Sequence, residues 1–231
     1  MTEQIMVAGE EVGPSPFDDP PDRPGRRGRP RAGEFDKRRM GVLDAASEEM
    51  VDTGYERVTM LGIAQRAGAS KETLYSWFSN KEGLLTALIE REIDDTATAV
   101  QAAVAISAPP AAQLTAIARV LLDRAASATS IAVRRAAVTS LRLGATALEQ
   151  ERLRLDPVIT EYLAELPEHG PYLVADAPAT TRLFRGLALQ DLELRLLLGD
   201  AVPSTNEIEA RAHAAVERFL TLVTVTERPT G

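Results

Sequence analysis

Residues 59–78 read TMLGIAQRAGASKETLYSWF, and their reading decides the fold. Thr59 is an N-cap residue type directly before a short helical stretch, MLGIAQRA. Gly68 supplies the positive φ that a tight turn needs. Ser70 then caps a second short helix, KETLYSWF. Two such helices pack across a turn when a small residue sits where they touch and an apolar residue inside the second holds the crossing angle. Ala64, Gly68 and Leu74 meet these needs at offsets 0, 4 and 10, and Ile63 and Phe78 extend the same small core. With Leu74 and Phe78 turned inward, Lys71, Glu72, Thr73 and Ser76 project outward, flanked by Tyr75 and Trp77. Such a face, short, polar and partly aromatic, suits a helix lying in a DNA major groove.

On either side the pattern stays helical. Upstream, Leu43, Ala46 and Met50 recur at i, i+3 and i+7 on one face of a helix that begins near Asp36 and stops at Gly54. Downstream, Ser79 with Glu82 three residues later reads as an S-x-x-E capping box opening a helix to about Ile106, before Pro109-Pro110. Residues 110–127 and 130–147 form two amphipathic stretches. Asp156-Pro157 reads as an N-cap with Pro at N1, opening a helix to about Leu166. PEHGPYLVADAP (167–178) reads as a loop. Over 178–199, Leu183, Leu187, Gln190, Leu194 and Leu197 form a helical stripe, and Phe184, Leu189, Leu192, Leu196 and Leu198 make the segment apolar on further sides. A helix of this kind must be buried on two sides. Ser204 opens the last helix, with Ile208, Ala212, Ala215, Phe219 and Leu222 on one face. No hairpin, βαβ pattern or internal repeat is visible.

Composition agrees with an all-α chain. Of 231 residues, 45% are apolar and only 4% aromatic, so alanine and leucine carry the core and strand formers are scarce. There is no cysteine, which removes disulfides and thiolate metal sites. No apolar run reaches the roughly 18 residues of a membrane span. The first 22 residues lack the basic and apolar regions of a signal peptide, so a cytoplasmic protein is expected. His169 and His213 lie far apart in sequence, and Asp94-Asp95 reads as a solvated helix face. Phosphate loops, H-E-x-x-H and nucleophile elbows are absent. No catalytic residue, metal or cofactor is therefore expected, and the chain reads as a protein other than an enzyme.

Charge is distributed unevenly. The net charge is −8, yet RRGRPR (26–31) places Arg26, Arg27, Arg29 and Arg31 in six residues. Residues 1–22 hold six acids and no Lys or Arg; residues 23–39 hold eight basic residues and two acids. Residues 36–91, by contrast, carry eight basic and nine acidic residues. A basic arm ahead of a helix-turn-helix suits the adjacent minor groove. Arg27-Gly28-Arg29-Pro30 also resembles the core of an AT-hook. Gly lets the backbone approach the groove floor, Pro keeps it extended, and Arg suits a narrow A·T groove.

The stretch GVLDAASEEMVDTGYERVTMLGIAQRAGASKETLYSWFSNKEGLLTALI (41–89) resembles the N-terminal domain of tetracycline-repressor (TetR) type regulators. Gly54-Tyr55, Thr59, Ile63-Ala64, Ala67-Gly68, Ser70-Lys71, Thr73-Leu74-Tyr75, Phe78, Lys81-Glu82 and Leu84 carry the likeness. The resemblance implies that Thr59, Thr73, Tyr75 and Lys81 contact the DNA backbone and that helix 71–78 reads bases. At Trp77 the sequence departs from the family, which more often has His or Tyr. The resemblance also implies a helical C-terminal domain that dimerises and binds a small effector. The expected organisation is an acidic tail (1–22), a basic arm (23–35), a helix-turn-helix domain (36–82, its motif at about 59–78) and an effector and dimerisation domain (83–231).

Double-stranded DNA is the expected partner. The expected DNA contacts are the four arm arginines, Thr59, Lys71, Thr73, Tyr75, Ser76, Trp77 and Lys81. A homodimer is expected through helices 178–199 and 204–226. A small apolar effector is expected near Tyr162, Phe184, Arg185 and Gln190. The rival readings are an architectural, A·T-preferring DNA-binding protein and a protein-interaction module.

Overall fold

The computed structural model describes residues 32–224. Arg26, Arg27, Arg29 and Arg31, and the last residues of the predicted final helix, lie outside that range. The described chain is all-α, with no strand and one isolated bridge between Tyr172 and Thr224. Three helices form a headpiece: α1 (Ala32–Thr53), α2 (Met60–Arg66) and α3 (Lys71–Phe78). Helix α1 starts four residues before the expected Asp36, inside the segment assigned to the arm. It ends at Gly54, whose φ is 78° and whose N–H donates to the Met50 carbonyl at 2.9 Å.

Helix α4 (Lys81–Val104) runs out of the headpiece into the second helical layer. Its cap is not Ser79. Asn80 Oδ1 accepts the Gly83 N–H at 2.8 Å, while Ser79 closes α3 at φ 64°. The expected capping box fails because Ser79 is spent on the reversal between helices. The rest comprises α5 (Pro110–Ala126), α6 (Ala128–Ala137), α7 (Leu141–Gln150), α8 (Asp156–Glu165), α9 (Ala177–Leu189), α10 (Leu192–Leu197) and α11 (Thr205–Val223). A continuous apolar core runs from Val42 to Val223.

Three further expectations are corrected. The predicted 130–147 helix is two helices, broken at residues 138–140, where Ser140 caps α7. Helix α8 starts at Asp156-Pro157 as expected, but Asp156 is not its N-cap. A π-helical turn, Glu151–Leu155, joins α7 directly to α8, and Asp156 is itself helical. Pro157 cannot donate to the preceding turn, and its ring would clash with the carbonyl four residues back. The widened turn accommodates both defects. Finally, the 178–199 helix breaks at Gln190, φ 48°, giving α9 and α10. Its inward residues are Phe184, Ala188, Leu189, Leu192 and Leu196. Leu183, Leu194 and Leu198 of the predicted stripe and its flanks are exposed. On α11, Leu222 is exposed, and Val223 takes the buried place beyond Phe219. Ser204 opens α11 as expected, and with Glu207 it forms a capping box.

Candidate DNA-binding face and body cavity

The turn at Gly68 has φ 60°, and the Ala69 N–H donates to the Ala64 carbonyl at 2.9 Å, closing α2 onto α3. Ala64, Ile63, Leu74 and Phe78 are buried, as their spacing predicts. Thr59 Oγ1 accepts the Gly62 N–H at 3.0 Å and Ser70 Oγ accepts the Thr73 N–H at 3.1 Å. Each cap satisfies an orphan donor and contributes about 1 kcal/mol. Arg66 fastens α2 to α1 through Glu49 at 2.9 Å and Asp52 at 2.8 Å. These contacts fix the angle at which α3 stands out from the body.

Lys71, Glu72, Tyr75 and Ser76 lie exposed on the outer face of α3, and Thr59 is exposed beside them at the start of α2. Lys71 Nζ rests 5.6 Å from the centre of the Tyr75 ring. Thr73 is half-buried, its hydroxyl 3.0 Å from that of Ser70. Lys81 sits against the turn after α1. Its Nζ donates to the Tyr55 carbonyl at 2.5 Å and lies over the Tyr55 ring at 4.1 Å. Partial burial lowers its pKa from the usual lysine range.

Trp77 is placed differently from the expectation. It is half-buried and stands edge-on to Phe35 of α1, ring centres 5.2 Å apart. Leu74 and Phe78 fill only one side of α3, and Trp77 covers the open edge toward α1. It braces the recognition helix instead of projecting from it.

The second site lies in the helical body. Beneath α4, between α5, α6, α9 and α10, is a cavity of about 60 Å³. Ile89, Ile93, Leu121, Val133, Leu155 and Leu189 give it apolar wall. Paired charges also line it. Glu92 accepts from Arg124 at 3.1 Å and from Ser130 at 2.7 Å. Arg185 donates to Glu151 at 2.6 Å and to Asp156 at 2.6 Å. Arg134 pairs with Glu193. The two carboxylates on Arg185 stand five residues apart, the hydrogen-bond span of the π turn, which brings them to one side of the helix. The paired carboxylates hold the Arg185 pKa above the ordinary guanidinium value although burial pulls it down.

Of the four expected effector residues, only Arg185 lines this cavity. Tyr162 is in the core, donating to Gln113 Oε1 at 3.3 Å, and burial pushes its phenol up to about 12. Phe184 stacks edge-on against Phe219, centres 5.1 Å apart. Gln190 is exposed at the α9–α10 break. Sequence reasoning missed Glu92, Arg124, Ser130, Arg134, Glu151 and Glu193. The signal was there: Glu92 and Arg124 interrupt otherwise apolar stripes beside Ile93 and Leu121.

Two ion pairs fasten α4 to its neighbours near the headpiece. Arg91 reaches Asp44 at 2.8 Å and Ser47 at 3.0 Å on α1, and Arg142 of α7 reaches Glu82 at 2.6 Å. Asp94 is paired with Arg154 at 2.5 Å, so Asp94-Asp95 is not simply a solvated face. Among the described residues no group of three His, Cys, Asp or Glu side chains could hold a metal ion. No helix among them is long and apolar enough to cross a membrane.

A capped, outward-facing second helix on a helix-turn-helix, joined to a larger helical body, defines a DNA-binding regulator of the headpiece-and-sensor class. Residues 42–88 match the family model for bacterial regulatory proteins of the tetR family, and residues 112–222 match that for the C-terminal domain of AefR-like transcriptional repressors. The chain belongs to the TetR family of transcriptional regulators. It is 46% identical to the HTH-type transcriptional activator FasR of Mycolicibacterium smegmatis over 68 residues, 29% of this chain and 31% of FasR. It spans about a third of the length of the curated relatives it matches. A TetR regulator from Agrobacterium tumefaciens superposes with a TM-score of 0.64 at 32% identity, covering 82% of this chain and 95% of that one. The regulator FadR of Bacillus subtilis, solved in complex with stearoyl-CoA, superposes with a TM-score of 0.64 at 18% identity, covering 79% and 97%.

Proposed function

We propose that the protein is a homodimeric repressor that binds a palindromic operator and is released by a small, mainly apolar effector. The observation that carries the reading is the exposed face of α3. Lys71, Tyr75 and Ser76 are free to meet a groove, while Thr59 and Thr73 present hydroxyls and Lys81 keeps one ammonium hydrogen for phosphate. Two copies related by a two-fold axis place two such helices about one DNA turn apart. The outer faces of α9 and α11 supply the two-fold contact. The match to the AefR-like repressor domain supports repression, and the stearoyl-CoA bound to FadR supports a ligand-responsive body. An open groove shared by Leu196, Asp200 and Val202, in and after α10, by α6, and by residues 50–55 and Arg57 of the headpiece supports coupling between body and headpiece.

Selection of bound DNA from a random pool by the full chain tests this reading. One discrete palindrome is expected. Smeared protection of A·T-rich DNA would favour the architectural protein instead, and no binding at low salt would favour the interaction module. The arm belongs to the same proposal. Arg29→Ala should lower affinity and weaken the preference for A·T at the operator flanks; a uniform loss over all flanks would mean that the arm only neutralises phosphate.

A further inference from the structure

The cavity of about 60 Å³ has room for a few waters and is far below the roughly 300–1,000 Å³ of a drug-sized site. An organic effector therefore requires a wall that moves, and α10 is built as one. It is six residues long and lies between two residues at positive φ, Gln190 at 48° and Gly199 at 96°. Helix α6 holds it at two points. Arg134 pairs with Glu193, and Arg135 donates to the Leu196 carbonyl at 2.9 Å. Leu192 and Leu196 are its remaining anchors in the core.

The second observation is charge. Arg124, Arg134 and Arg185 meet Glu92, Glu193 and Glu151 along the cavity wall, and each guanidinium faces a carboxylate. Asp156 adds a second acid on Arg185. The wall therefore has no cation waiting for an anion. A charged ligand would leave its own charge, or that of the partner it displaces, without a counter-ion in a partly desolvated site. An uncharged ligand enters between the ion pairs against the aliphatic wall at no such cost.

We infer that this cavity receives an uncharged, largely apolar molecule, admitted when the Arg134–Glu193 pair parts and α10 swings outward. The inference names the ligand class of the effector site proposed above and rests on that reading. Its test reads ligand binding without DNA, so failure here leaves the DNA-binding proposal standing.

Two dyes with one skeleton decide it: uncharged N-phenyl-1-naphthylamine and its sulfonated analogue, 8-anilinonaphthalene-1-sulfonate. Titrated into the full-length protein, the uncharged dye should bind saturably and at least tenfold more tightly than the sulfonate. Val133→Phe, which fills the cavity, should remove that binding. Glu193→Gln should speed association of the uncharged dye several-fold in stopped flow. By leaving Arg134 only its 4.0 Å contact with Glu151, it should also narrow the tenfold preference. Equal or tighter binding of the sulfonate by the unaltered protein would overturn the inference. So would the absence of saturable binding of the uncharged dye, or binding that survives in a folded Val133→Phe. An unchanged association rate in Glu193→Gln would overturn the role of α10. The comparison of dyes on the unaltered protein stands even if a variant does not fold.

Discussion

Gly83 stands where the first turn of α4 meets the end of α3. A Cβ there would lie 2.1 Å from the Phe78 carbonyl oxygen, a backbone atom that cannot rotate away. Gly83→Ala should therefore push α3 out of its setting and cost about 1–3 kcal/mol, as overpacking does. The checks are the melting temperature, which falls, and operator affinity, which falls further than the stability loss explains. Beside it, Ser79 has φ 64° and ψ −45°, and the Asn80 N–H reaches the Phe78 carbonyl at 2.7 Å. This is a γ-turn of the rare, strained, positive-φ kind. Strain thus lies directly under the recognition helix, at the joint to α4. In the body, Tyr162 gives a pH signature. Burial raises its phenol from 10.0 to about 12, so the neutral form is favoured in the folded state. Its contribution to stability is complete below pH 10 and is lost as pH rises toward 12. Denaturant melts across that window should steepen in their loss for the native protein and flatten for Tyr162→Phe. Equal slopes would mean that the phenol ionises without opening the core.

At the scale of elements, the π turn at Glu151–Leu155 carries the most specific consequence. It inserts about one residue more than an α-helical path needs, and that residue turns Asp156 to the side of Glu151. Arg152 and Leu153 within it are exposed. Asp156→Ala should keep the turn but leave the Arg185 guanidinium half-paired. The expected result is unchanged helical circular dichroism with stability lower by about 3 kcal/mol, the scale of breaking a buried ion pair. Unchanged stability would mean that the Arg185 cluster does not hold α9 to α8. The turn also shows where sequence reading stops. The headpiece was legible to within a few residues because local chemistry sets it: caps at Thr59 and Ser70, a Gly at the turn, and Leu74 and Phe78 facing inward. The body was legible only as helices. Asp156-Pro157 has the residue types of a helix start, and nothing local says that the preceding helix widens to absorb the proline. Gln190 breaks the 178–199 helix with no Gly or Pro to announce it. Helical periodicity alone could not divide the leucines of α9 and α10 between the core and the outer face. The effector residues went astray for the same reason. Aromatic residues suggest pocket lining, but Phe184 and Tyr162 are core, and the cavity is instead lined by charged residues on apolar stripes.

At the scale of the whole molecule, the described subunit leaves one surface suited to a second copy. On α9, Ala179, Leu183, Gly186 and Gln190 follow one another at helical spacing on the outer side; on α11, Ala210, Ala214, Glu217 and Thr221 do the same. The two helices pack side by side, and both rows are rich in small residues that permit close helix approach. Gly186 lies within the α9 row, and a Cβ there would meet no atom within 4 Å in the isolated subunit. Gly186→Arg therefore leaves the fold of one subunit unstrained but sets two guanidinium groups against each other across the two-fold axis. Light scattering coupled to size exclusion should give twice the chain mass for the native protein and a single chain mass for the variant at micromolar concentration. The helical circular dichroism should persist. Operator affinity should drop at least a hundredfold, because the second half-site then binds at bulk concentration and no longer at the roughly millimolar effective concentration a tether provides. A Gly186→Arg variant that remains a dimer would place the interface elsewhere. The exposed Leu141 and Leu148 of α7 would then be the next face to test.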